Sequence, residues 1–140
     1  MFVRGVTLPE ILIVLLLVGL IAALALPAYR QHMVRVNRGE ATSTLYEIAS
    51  AEERHYLQQA RYTDDITGDP PEGLGLLPAA GSRHYGYSVS TADDGQSFIA
   101  RASPTRDGGQ DTDGECLAFS LDHRGRRAVS GSRDTSFCWR

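Results

Sequence analysis

The sequence predicts an α+β fold: one N-terminal helix of about 50 residues packed on a three- to four-stranded antiparallel sheet. Three observations carry this expectation. A run without any charged or strongly polar residue extends from Ile11 to Leu26. Apolar residues at helical spacing continue beyond it to about Ala60. Short strand-like runs separated by turn residues fill the remainder. A chain of 140 residues accommodates one globular domain and one appendage. Its moderate overall hydropathy therefore averages two materials, an apolar first segment and a soluble remainder.

The first element follows Arg4, the one charge ahead of the apolar run, which favours leaving the N-terminus in the cytoplasm. A secretory signal would have a shorter apolar core with an A-x-A-like site behind it. Here the stretch runs from Val6 to Ala28, broken only by Glu10. About 20 helical residues, at 1.5 Å each, cross a bilayer core. The expectation is a single-pass segment with the chain beyond about Arg30 outside the cytoplasm. Glu10 is out of place in it. A carboxylate within a span costs about 2.5–3.5 kcal/mol on insertion scales, and residues that carry this cost are functional by default. In lipid, so near the start of the span, it can snorkel to the interface. Away from lipid it needs a cationic partner. Gly19 weakens the helix by about 1 kcal/mol relative to alanine. Pro27 removes a helix hydrogen bond. Together they predict a mild kink.

The run Gly5-Val6-Thr7-Leu8-Pro9-Glu10, with Arg4 ahead and the apolar stretch behind, resembles the class III leader of type IV pilins and pseudopilins. The resemblance implies a leader over 1–5, removed by a prepilin peptidase that cuts between Gly5 and Val6 and methylates the new amine of Val6. It implies that Glu10 is the family's buried glutamate, which attracts the N-terminal amine of a neighbouring subunit. The physics agrees, because a buried carboxylate and a buried ammonium are each costly alone and far less so as a pair. The family most often has Phe where Val6 stands and often Ile where Pro9 stands. Proline in a first helical turn is harmless, since its missing N–H would have been unpaired. The resemblance also implies that in filaments the stretch between Gly19 and Pro27 can lose helical structure. The implied partners are other pilin subunits, the peptidase, the inner-membrane pilus assembly machinery and, before assembly, inner-membrane lipid. The implied location is the bacterial inner membrane with a periplasmic head, then an extracellular pilus serving adhesion or twitching motility.

Residues 6–28 are thus the membrane or filament-core part of the helix, and 29–61 its amphipathic part. In the latter, Ala41, Leu45, Ile48, Ala49 and Tyr56 form an apolar stripe suited to a sheet. Arg35, Arg38, Glu40, Glu47, Glu53 and Arg54 are assigned to the other faces, and Gly39 is a weak point where the helix can bend. Both parts together make a helix of about 75–80 Å. The segment Glu52-Glu53-Arg54-His55-Tyr56-Leu57, followed by Arg61-Tyr62-Thr63, reads as a helix end and a turn. It is similar to the corresponding run of PilE-type minor pilins.

The head occupies 62–140. Residues 64–82 are a loop around Asp69-Pro70-Pro71-Glu72-Gly73. Strands are predicted at Tyr85–Ser90, Phe98–Ala102, Leu117–Leu121 and Ala128–Val129, with turns at Asp93-Asp94-Gly95 and His123-Arg124-Gly125. Cys116 and Cys138, two cysteines behind a membrane segment, fit one disulfide in an oxidising compartment; the alternative is two buried thiols. Such a bridge is worth roughly 3 kcal/mol and would bound the C-terminal loop. Gln110-Asp111 ahead of Cys116, then Leu117, Leu121, Asp122 and Gly125, again resemble PilE-type pilins. Asp107, Asp111, Asp113 and Glu115 alternate with glycines like a calcium loop. Their spacing does not fit the EF-hand pattern, so the reading is an acidic solvated turn, with calcium as the alternative.

The net charge of -3 does not point to general nucleic-acid binding. All 14 basic residues are Arg. Acids dominate 61–115 and Arg dominates 116–140, so an acidic loop region and a basic end are expected. Arg124, Arg126, Arg127, Arg133 and Arg140 at that end motivate a second reading, a DNA-uptake pilin that grips phosphates, against the alternative of solvated surface charge. A third reading, a type II secretion pseudopilin, shares the leader, but the PilE-like tail argues against it. His32, His55, His84 and His123 have no metal-ligand spacing, and no nucleophile elbow or phosphate loop is present. The chain reads as a structural subunit, not an enzyme, and no cofactor is implied.

Overall fold

The structure, a computed structural model, describes residues 7–76 and 83–140. It forms two compact units, one up to Arg35 and one from Val36 to Arg140. Helix α1 (Leu8–Gln59) contributes to both. In the first unit every residue from Thr7 to His32 is exposed. Helix persists through Gly19 and Pro27. Among the described residues, α1 is the one helix long and apolar enough to cross a membrane. Helix is also the conformation that satisfies its own backbone groups in lipid.

The second unit places the rest of α1 with a sheet of strands β1 (Tyr85–Ala92), β2 (Ser97–Pro104), β3 (Phe119–Asp122) and β4 (Arg127–Val129). The strands are antiparallel neighbours in chain order. The register sets Tyr87 opposite Ala102, Ala100 opposite Leu121, and Phe119 opposite Val129. Strand alternation then sorts the sheet. Tyr85, Val89, Phe98, Ala100, Ala102, Phe119 and Leu121 are buried, while Ser88, Ser90, Arg101 and Ser103 between them are exposed. Helix α1 completes the core with Ala41, Leu45, Ile48 and Ala51. Full burial of Leu45 and Ile48 stabilises by about 1.5–3 kcal/mol each. A short helix α2 (Thr135–Cys138) is capped by Asp134, which accepts from the Phe137 N–H at 3.2 Å. Cys138 joins the buried Cys116 across a Cα–Cα distance of 5.7 Å. The disulfide reading stands and the free-thiol alternative falls.

Three expectations change. The third strand begins at Phe119 rather than Leu117, because Leu117 takes a left-handed φ of 52° beside the disulfide. The first two strands run further, to Ala92 and Pro104. The largest correction concerns Arg38. It is buried, as are Asn37, Glu52 and His55. The sheet-facing stripe of α1 has apolar residues in its middle and polar residues at both ends, whereas Ala49 and Tyr56 are only half-buried.

Candidate functional site

Glu10 sits in the first turn of α1, exposed among apolar neighbours. Its carboxylate accepts from the Thr7 backbone N–H at 3.4 Å, and the Glu10 N–H donates to the Thr7 carbonyl at 3.1 Å. This is half of a capping box, in which the third helical residue reaches back to the residue that starts the helix. Thr7-x-x-Glu10 is the sequence signature that finds it. The bond is long and open to solvent, so it does not tie up the carboxylate. Gly5 and Val6, the expected cleavage residues, lie outside the described residues.

The acidic loop is solvated at Asp107 and Asp111 but not at Asp113. Asp113 is buried, and both of its oxygens accept from Arg38, from Nε at 2.7 Å and Nη2 at 2.6 Å. Glu115 accepts from the same Arg38 nitrogen at 2.8 Å and lies 3.5 Å from Arg133. The Arg38 hydrogen bond chiefly holds the Glu115 carboxyl below the usual carboxylate range. Hydrogen bonding to Asp113, working against burial, raises the Arg38 guanidinium above its ordinary value. Asn37 donates to Gln110 at 3.1 Å beside them. Asp107 and Asp111 remain exposed. Among the described residues no three His, Cys, Asp or Glu side chains gather into a metal site. Asp113 and Glu115 instead fasten the loop before Cys116 to the helix.

The five C-terminal arginines divide into two kinds. Arg126 is held by Asp122 at 2.6 Å, and Asp122 also accepts the backbone N–H groups of Arg124 and Arg126. Partial burial raises the Asp122 carboxyl, but these bonds outweigh it and the group lies below its usual value. Arg133 stacks 5.0 Å over Phe137 and faces Glu115. Arg124, Arg127 and Arg140 have no carboxylate partner among the described residues. Arg127 lies 5.9 Å from the Trp139 ring, and Arg124 donates to the His123 ring at 3.3 Å. The β3–β4 hairpin therefore carries two cations without carboxylate partners among the described residues, Arg124 and Arg127, while Arg133 belongs to the loop network.

A family model described as "Type IV minor pilin ComP, DNA uptake sequence receptor" matches residues 27–120. A type IV major pilin protein, PilA, from Myxococcus xanthus is 34% identical over 89 residues, which are 64% of this chain and 38% of that protein. The type IV major pilin protein PilE1 from Neisseria gonorrhoeae is 36% identical over 75 residues, 51% of this chain and 46% of that protein. This chain thus spans less than half the length of these curated relatives. A solved type IV pilin from Shewanella oneidensis is 28% identical, with a TM-score of 0.51, over 67% of this chain and 89% of that one. A long N-terminal helix packed on a four-stranded antiparallel sheet is the architecture of the type IV pilin class. The chain belongs to the type IV minor pilin family that the matched model describes. That match ends at Ser120, before all five C-terminal arginines, and begins at Pro27, after Glu10.

Proposed function

We propose that this protein is a structural subunit, a minor pilin, of a type IV pilus, and that it assembles through the first half of α1. One observation carries the reading. The core of the second unit draws on no residue before Ala41, while every residue from Thr7 to His32 is exposed and most are apolar. An apolar surface this large needs lipid or other chains against it. In the proposed sequence, a prepilin peptidase removes residues 1–5 and methylates the amine of Val6. The segment 6–28 anchors the chain in the inner membrane with residues 62–140 periplasmic, and the assembly machinery then moves it into the filament. Glu10 pairs with the amine of a neighbouring subunit as both leave the membrane. Flexibility between Gly19 and Pro27 would belong to the filament state. The role is one of assembly, in adhesion or twitching motility, without catalysis. The test is Glu10→Ala. The variant should enter the membrane at the wild-type level and be absent from sheared filaments; its normal recovery in filaments sinks the reading.

A second reading, DNA uptake, has its own support. The family description names a DNA uptake sequence receptor, and Arg124 and Arg127 of the β3–β4 hairpin, and Arg140, have no carboxylate partner among the described residues. If they contact phosphates, replacing one with Ala should lower the slope of log affinity against log salt by about one. Arg126→Ala and Arg133→Ala should do less, because their charges are already partnered. Equal DNA binding by all five variants and the parent would remove DNA from the account.

A further inference from the structure

His55 lies at the far end of the buried stripe of α1. Its ring has two nitrogens and both face carbonyl oxygens. Nδ1 is 2.9 Å from the Arg61 carbonyl and Nε2 is 3.0 Å from the Pro71 carbonyl. A neutral imidazole donates from one nitrogen only, and the other presents a lone pair. The doubly protonated ring is the one form that donates on both sides. The two carbonyls belong to the start and the middle of the segment between α1 and β1, so the ring bridges its first part.

The surroundings are charged. On α1 itself stand Glu52, Glu53 and Arg54. Arg61, Asp64 and Glu72 approach from the loop and Asp94 from the β1–β2 turn, and these four line a cavity of about 470 Å³ whose wall includes His55. Glu52 is fully buried; one oxygen accepts the Thr63 N–H at 3.1 Å and the other has no hydrogen-bond partner. The rest of the loop is held by its own backbone bonds, Leu74 to Asp65 and Leu76 to Ile66, and by the Tyr62 N–H donating to Gly95. Among the described residues, His55 is the side chain through which α1 holds the Pro71 carbonyl.

We propose that His55 is a proton-operated latch, whose imidazolium bridges the Arg61 and Pro71 carbonyls and fixes the 61–73 loop, and with it the cavity, to the end of α1. Loss of one ring proton turns one of the two donors into an acceptor facing an acceptor. The loop then detaches on that side while the sheet stays intact. The latch makes the loop surface of the head respond to the protonation of the His55 ring.

The test uses the full chain in detergent micelles, with His55 ring nitrogen shifts and backbone amide exchange followed by NMR from pH 5.5 to 8.5 and corrected for intrinsic exchange. As the ring loses a proton, protection at Tyr62 and Gly73 should fall at least about tenfold, the scale of a hydrogen bond to a charged group. In Glu52→Gln, whose side chain no longer titrates, protection at Ala100 and Leu121 should not move. In the double variant Glu52→Gln with His55→Gln, which lacks both titrating side chains, the loop should be equally open at every pH. In Glu52→Gln the pH dependence should remain, which separates the ring from the neighbouring carboxylate. Loop protection unchanged across the ring's titration overturns the latch, and this holds in the parent protein even if the double variant does not fold. Dependence that survives in the double variant, or that disappears in Glu52→Gln, overturns it as well.

Discussion

Between Ile11 and Leu26, helix α1 carries no charged or strongly polar side chain, and every residue is exposed. Between Asn37 and His55, its sheet-facing stripe carries Asn37, Arg38, Glu52 and His55, and all four are buried. Each half inverts the usual rule for a soluble protein, and the inversions have different causes. The first half is exposed from Thr7 to His32, a surface that the proposed assembly covers with lipid or other subunits. The second half faces a small sheet. There the polar groups at the ends of the stripe hold irregular segments that have no sheet hydrogen bonds of their own. Arg38 holds the loop before Cys116, and Glu52 and His55 hold the loop after Gln59.

The largest expected effect tests that assignment of labour. Arg38→Met leaves Asp113, whose side chain is 2% exposed, as an unpaired buried charge. Breaking a buried pair from one side costs about 3–5 kcal/mol. Chemical denaturation in micelles, followed by the fluorescence of the single tryptophan, Trp139, should read this loss. Leu16→Ala in the first half should leave the same midpoint within about 0.5 kcal/mol, as for a surface change. The double variant Arg38→Met with Asp113→Leu should recover most of the loss, since an apolar pair of similar volume is often no worse than a buried ion pair. A loss below about 1 kcal/mol for the single variant would mean that Asp113 finds water and that the stripe is not sealed. Next in size is the disulfide. Cys116 and Cys138 close a loop of separation 22, and opening it should cost about 3 kcal/mol by the chain-entropy account. The cost falls on the second unit alone. A reduced protein whose Trp139 midpoint does not move would show that the Arg38 network holds the C-terminal loop without the bridge.

Length and periodicity made the helix and the position of the sheet legible. Tyr85, Phe98, Phe119 and their alternating neighbours announce strands, and Leu45 and Ile48 announce the face they meet. The strand end at Leu117 was not legible, because a left-handed residue beside a disulfide follows from a three-dimensional constraint rather than from propensity. Nor was the Arg38 site. A charge on an amphipathic helix defaults to solvent, and Asp113 is 75 residues away in sequence. Acids spaced by glycines look the same in a sequence whether they face water, a cation or a guanidinium. Glu10 is the reverse case. Its misfit with the span and its Thr7-x-x-Glu10 spacing are both visible in one short run, and only the amine proposed as its partner lies beyond a single chain.

Glu52 gives the smallest effect and the finest test of the contrast, because it is a buried acid without a matching cation in contact. Burial raises its carboxyl to about 7 against an ordinary 4.5; the Thr63 N–H and the charge of His55 pull in the other direction and do not prevail. A raised value means that the folded protein binds the proton more tightly than the unfolded chain. Stability is therefore full below about pH 4.5, falls as the pH rises towards 7, and is level above that. Glu52→Gln keeps an acceptor for the Thr63 N–H and removes the charge. It should stabilise the head by about 2 kcal/mol at pH 8, below the full linkage value of about 1.36 kcal/mol for each tenfold difference in proton affinity. The gain should shrink to nothing near pH 4.5. Denaturation midpoints of the two proteins across that range give the answer directly. A constant difference between them would mean that the Glu52 side chain acts through packing and not through its proton. The polar end of the stripe would then be held by His55 alone, and the buried half of α1 would differ from the exposed half in shape more than in charge.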